Sequence, residues 1–143
     1  MISEMAIWQR TIYIDIGSKN FDVNDVIPLL DSRFKRDWMV ESGQCWGDPE
    51  RNDIFVSWDK ETNSITDDIR VRIDLRNLEV EFIQKVIDLT VELGLKLKVI
   101  RTDFFEPALP EIFRVLKDSN AHKFTKDTRK FLDDFEKGII HPE

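Results

Sequence analysis

Between Asp68 and Arg101 the spacing of apolar residues changes from a period of two to a helical period and back again. Ile69, Val71, Ile73 and Leu75 alternate with Arg70, Arg72, Asp74 and Arg76, which predicts a strand with one aliphatic face. Phe82, Ile83, Val86, Ile87, Leu89 and Leu93 then recur at helical spacing. Asn77 stands where an N-cap is expected, and Glu79 and Glu81 fall in the first turn, where negative charge suits the helix dipole. Gly94 occupies the position after the helix that favours a positive φ. Leu95, Leu97 and Val99 alternate again, with Lys96 and Lys98 between them. Strand, helix and strand in this order predict two parallel strands of one sheet with a right-handed crossover, and the helix over Leu78–Leu93 packed across them.

The same reading extends to both sides. Trp8, Ile12, Ile14 and Ile16 share one face of a first strand, which Arg10 interrupts, and Gly17-Ser18-Lys19-Asn20 is turn chemistry. Val23, Val26, Ile27, Leu30 and Phe34 predict a helix, with Pro28 moving its regular start toward Asp25. Asp37 to Gln44 reads as a second strand, broken by Gly43, Gly47 and Pro49, and Ile54, Val56 and Trp58 as a third. Asp59 to Asn63 reads as the tip of a hairpin that brings Ile69 back antiparallel. Pro107 is placed at the first position of a further helix carrying Leu109, Ile112, Phe113 and Leu116. A last helix is expected over Lys126–Lys137, with Phe131, Leu132 and Phe135 inward and Gly138 at its end. The expected fold is α+β: a single mixed sheet of about five strands with helices on one face. This is a ferredoxin-like arrangement extended by a strand and a C-terminal helical tail. A doubly wound sheet is disfavoured, because a strand covered on both faces is apolar throughout, unlike the one carrying Arg70, Arg72, Asp74 and Arg76.

Composition narrows the class. The 143 residues, read as one domain over 1–143, suffice to bury about 68–70% of the unfolded surface. Charged residues make up 34%, yet ten Phe and four Trp argue against disorder. A net charge of −7 disfavours nucleic acid as a partner and suits a basic protein. No apolar run approaches a membrane span, and the N-terminus lacks the basic and apolar regions of a signal peptide. Cys45 is the single cysteine, so no internal disulfide forms, and cytoplasmic residence is the expectation.

Candidate chemistry is sparse. His122 and His141 have no second ligand at zinc-motif spacing, and the five glycines write no phosphate-binding loop, so neither metal nor cofactor is expected. Cys45, in Gly-Gln-Cys-Trp-Gly, lacks the following helix that would activate a nucleophile, and no catalytic residue is assigned. The stripe Arg70, Arg72, Asp74, Arg76 reads as cross-strand ion pairing on an exposed face, with an anion- or partner-binding face as the alternative.

The most charged segment runs from Asp48 to Asp68. Asp48, Glu50, Asp53, Asp59, Glu61, Asp67 and Asp68 stand there against only Arg51 and Lys60. A solvated loop and hairpin edge explains such charge without function. As a recognition surface it would face a basic protein, with Trp46 at its border as an apolar anchor. Phe105-Glu106-Pro107, Phe113, Leu116, Ser119, Ala121, Lys123-Phe124, Asp127 and Phe131-Leu132, with Arg72-Ile73-Asp74-Leu75-Arg76 before them, resemble the last half of a set of small uncharacterised bacterial α+β proteins. In size and acidity those proteins are similar to the immunity proteins that neutralise bacterial toxins. The resemblance implies a non-catalytic, immunity- or antitoxin-type binding protein and supplies no catalytic residue. The competing classes are a small enzyme whose acids meet in a cleft and a regulatory module for a small ligand. Buried carboxylates in a cleft would favour the enzyme, and an exposed acidic surface with an apolar anchor the binder.

Overall fold

A computed structural model describes residues 8–17, 19–99 and 104–117. In chain order the elements are β1 (Gln9–Asp15), α1 (Val23–Asp31), β2 (Arg36–Val40), β3 (Gly43–Gly47), β4 (Asp53–Ser57), β5 (Ile69–Asp74), α2 (Val80–Glu92), β6 (Lys96–Lys98), β7 (Phe104–Phe105) and α3 (Leu109–Lys117). The strands form one sheet in the order β2-β3-β4-β5-β1-β6-β7. Seven strands therefore replace the expected five, and every neighbouring pair is antiparallel, so the sheet is not mixed.

The unit read most directly from the sequence keeps its direction but not its adjacency. β5 and β6 are each antiparallel to β1, which lies between them, so they run parallel to one another one strand apart. In the registers Ile12↔Val71, Ile14↔Ile69 and Ile14↔Leu97 the aliphatic residues of three strands meet on one face. That face and the apolar stripes of the helices form a single core. From α2 it receives Ile83, Val86, Ile87 and Leu89, each stabilising by about 1.5–3 kcal/mol on full burial. The helices touch in turn. Arg33, just past α1, reaches Glu92 of α2 at 3.2 Å, the Phe34 and Phe82 rings lie 5.4 Å apart, and α2 contacts α3.

Several local expectations are corrected. The span Asp37 to Gln44 is not one strand but the two arms of a hairpin turning at Glu41-Ser42. Gly43 belongs to β3 rather than breaking it, because a Cβ there would stand 2.6 Å from Cζ of Phe55. α1 starts at Val23, capped by Asp22, whose side chain accepts from the Asn24 N–H, and Pro28 is accommodated inside it. α2 starts at Val80 with Glu79 rather than Asn77 at the cap, and no side chain caps it. Gly94 does adopt a left-handed φ of 68°. α3 starts at Leu109, so Pro107 precedes it and Pro110 holds the early position that proline tolerates. β7 was not foreseen, and the expected helix over Lys126–Lys137 lies outside the described residues. Among the described residues, no helix is long and apolar enough to cross a membrane.

Candidate functional site

The acidic segment is divided by the fold. Its first part, residues 48–52, turns at the end of the β3–β4 hairpin where Gly47 pairs with Asp53. Its last part, residues 58–68, leaves from the opposite end, where Gly43 pairs with Ser57. Asp48 and Glu50 are exposed in the first turn. There the Asp48 carboxylate accepts from the Glu50 N–H at 2.9 Å, and the Glu50 carbonyl accepts from Trp8 Nε1 and Arg76 Nη2. Asp59, Glu61 and Asp67 are exposed at the other end, with Asp68 half-buried beside them. The strand β4 separates the two groups, so the seven acids do not form one surface.

At the 58–68 end, loop geometry explains part of the charge. Asp59 Oδ1 accepts from the N–H groups of Glu61 and Thr62, and Asn63 takes a left-handed φ of 60°, which Asn tolerates better than most residues. The loop then docks on the start of α1. Val23 N–H donates to Asn63 O at 2.8 Å, and Ile65 N–H to Phe21 O at 2.9 Å. This brings Asp22 and Asp25, both exposed, beside the loop, where the helix N-terminus favours negative charge.

The cations at this end are engaged. Lys60 pairs with Glu41 of the β2–β3 turn. Lys98 lies 2.6 Å from Asp68 and 2.9 Å from Asp15, and these two hydrogen-bonded carboxylates raise its pKa. Asp68 also accepts from the Ile16 N–H at 2.8 Å, tying the loop to β1. Lys19 Nζ donates to Gly94 O at 3.0 Å. Between these groups lies an open cavity of about 350 Å³, lined by Asp15, Gly17, Asn20, Thr66, Asp67 and Lys98 among others. Its carboxylates suit cationic groups and hydrogen-bond donors. Met39 and Val40, 63% and 47% exposed, stand immediately before Glu41 at the same end of the sheet.

Two of the acidic segment's expected binding residues are interior. Trp46 has no exposed surface, since it lies in β3 with its ring in the core and its Nε1 donating to Asp31 Oδ1 at 2.9 Å. It is thus no surface anchor: the two glycines that flank it are hairpin positions rather than loop breakers. Asp31 also receives two hydrogen bonds from Arg36, and these together with the Trp46 bond hold its carboxyl down at about 2. Asp53 is likewise fully buried, paired through both oxygens with Arg72. Arg72 is itself buried, contrary to the exposed stripe expected for its face, and so is Asp74. Asp74 accepts from the backbone and guanidinium of Arg76.

Cys45 lies against this pair, its Sγ 3.6 Å from Asp53 Oδ2. Burial first, and then the Asp53 carboxylate, push its thiol up to about 12, so it holds its proton at neutral pH and is a poor nucleophile. Among the described residues no three His, Cys, Asp or Glu side chains are grouped to hold a metal ion.

Of the acids that the sequence singles out, Asp59, Glu61, Asp67 and Asp68 lie at the 58–68 end, together with Asp15, Lys98, Met39 and Val40, which it does not single out. The pairing of Tyr13 with Lys98 and Asp15 with Lys96 is what brings Asp15 and Lys98 together, and alternation within each strand carries no record of its neighbour. Compared with family models, curated proteins and solved structures, the chain matches none.

Proposed function

We propose that this chain is a non-catalytic protein-binding domain whose surface for a basic partner is the sheet end formed by the 58–68 loop and the start of α1. The observation that carries the reading is an imbalance. Asp22, Asp25, Asp59, Glu61 and Asp67 are exposed together, while Lys19, Lys60 and Lys98 are each already bonded within the chain. Such a field speeds encounter with a basic protein and repels acidic and nucleic-acid competitors. Met39 and Val40, not Trp46, supply the apolar contact that charge alone lacks. Asp48 and Glu50 face another end of the molecule, and Asp53 acts as an internal counterion.

Neutralisation of a basic toxin is the sharper form of this role, supported only by the resemblance in size and acidity to immunity proteins. A cytoplasmic setting fits the lone, buried thiol. We read the core as ferredoxin-like. What supports this is the succession β1-α1-β4-β5-α2-β6 with β6-β1-β5-β4 as neighbours, the β2–β3 hairpin and β7 extending the two edges. The cavity beside Lys98 favours a second reading, a regulatory module for a small ligand with a cationic group. An acid-base enzyme is disfavoured, since the buried carboxylates of Asp53 and Asp74 are both bonded to guanidinium groups.

The test is a partner identified by affinity capture and then followed by association kinetics at two salt concentrations. Neutralising Asp59→Asn, Glu61→Gln and Asp67→Asn together keeps the loop's backbone hydrogen bonds, because Asn retains the accepting oxygen. It is expected to slow association and flatten the salt dependence with little change in melting temperature. A wild-type rate and salt slope in the triple variant would place the binding surface elsewhere.

A further inference from the structure

β5 carries two arginines on one face, two residues apart and thus about 7 Å from one another along the strand. Their hydrogen-bond partners differ. Arg72 presents Nε and Nη2 to the two oxygens of Asp53. Arg70 has the same two atoms, Nε and Nη2, buried without any hydrogen-bond partner. Arg10 Nε is the other buried side-chain nitrogen left unbonded among the described residues, but it is a single atom on the core-facing side of β1 and forms no fork.

A buried N–H donor without an acceptor is costly, and more so on a permanent cation. Burial, and then repulsion from Arg72, lower its affinity for the proton, so Arg70 is held against its own charge. The residue as a whole keeps partial exposure, so its fork lies just beneath the surface. Its walls are aromatic. Tyr13 is its partner across β1 and Phe55 its partner across β4, with the guanidinium 5.2 Å from the Phe55 ring centre. Trp38 stacks on Phe55 at 5.1 Å. Adjacent Nε–H and Nη2–H donors match the two oxygens of a planar carboxylate, as the neighbouring Arg72–Asp53 pair demonstrates.

We propose that Arg70 is the receptor for a small carboxylate ligand with a flat apolar body, bound through Nε and Nη2 between Tyr13 and Phe55. The carboxylate supplies the acceptor that Nε and Nη2 lack, and the aromatic walls take the body, a Phe55 or Trp38 side-chain shift opening the fork. This site lies on the polar face of the sheet and does not rest on the acidic surface proposed above.

The experiment uses the full chain and benzoate as probe, with acetate and inorganic phosphate as comparators. Benzoate is expected to shift the Arg70 Nε–H resonance saturably, with a dissociation constant at or below about 1 mM, and to raise the melting temperature. Acetate should bind more weakly and phosphate weaker still. Arg70→Met should abolish the benzoate response while leaving the ligand-free protein at least as stable as wild type, because it removes two buried N–H donors that have no acceptor. No saturable shift in the wild-type protein overturns the proposal, whatever the fate of the variant. An equal response to phosphate overturns the planar carboxylate assignment, and an undiminished benzoate response in Arg70→Met overturns the role of Arg70.

Discussion

Individual residues divide into those whose role follows from their place in a pattern and those whose role depends on a partner far along the chain. Ile69, Val71, Ile73 and Leu75 were legible because alternation alone assigns them to one face, and all four are buried. Arg72 was not, because a polar residue on the second face reads as exposed unless its counterion is known. Asp53, 19 residues earlier, reaches it only through the β4–β5 register. That dependence makes a sharp prediction. Asp53→Ala removes the carboxylate that accepts from Arg72 Nε and Nη2 and should cost about 3–5 kcal/mol, measured by urea unfolding. Replacing both, with Asp53→Leu and Arg72→Met, should recover most of that loss, and a double variant as unstable as the single one would mean the pair contributes more than its own neutralisation.

Asp31 gives a prediction in pH. Its folded carboxyl sits at about 2, below the ordinary 3.8, through hydrogen bonds from Arg36 and Trp46. A depressed acid stabilises the fold above its unfolded pKa, and that contribution fades as pH falls through the folded value. Asp31→Asn should therefore be less stable than wild type at pH 7, and the gap should close between about pH 4 and pH 2. A gap of constant size across that range, in parallel urea titrations, would show that the charge is irrelevant.

Among the elements, those bounded by their own residues were predicted well, while those requiring a turn or a partner were not. α2 and β5 carry complete period patterns and appear within a few residues of their expected limits. The β2–β3 hairpin was hidden because Gly43 and Gly47 look like breakers. The reason for Gly43 is a ring from β4, which no local pattern announces. β7 is two residues long and exists by pairing with β6. Leu89 tests the best-read element. It is fully buried on α2 in the shared core, so Leu89→Ala should cost about 2–5 kcal/mol in urea unfolding. A loss below about 1 kcal/mol would mean that the helix packs loosely enough to collapse around the missing methyl groups.

For the whole molecule, the question is how charge contiguous in sequence is distributed in space. From Asp48 to Asp68 the acids look like one patch, but a five-residue strand, β4, carries the chain from one end of the sheet to the other. Distance along that strand, about 3.3 Å per residue, exceeds the roughly 8 Å over which exposed charges act at physiological salt. The two groups of carboxylates are therefore electrically separate, and only the 58–68 group is reinforced by Asp22 and Asp25 from α1. Neutralising the first group, with Asp48→Asn and Glu50→Gln, should accordingly leave association with a basic partner at the wild-type rate and salt slope, while the Asp59, Glu61, Asp67 triple variant slows it. Asn at position 48 retains the oxygen that accepts the Glu50 N–H, so the turn stays formed and the comparison isolates charge. Equal slowing by both variants, in the same kinetic assay at two salt concentrations, would show that overall charge steers the encounter and that neither end is a dedicated surface.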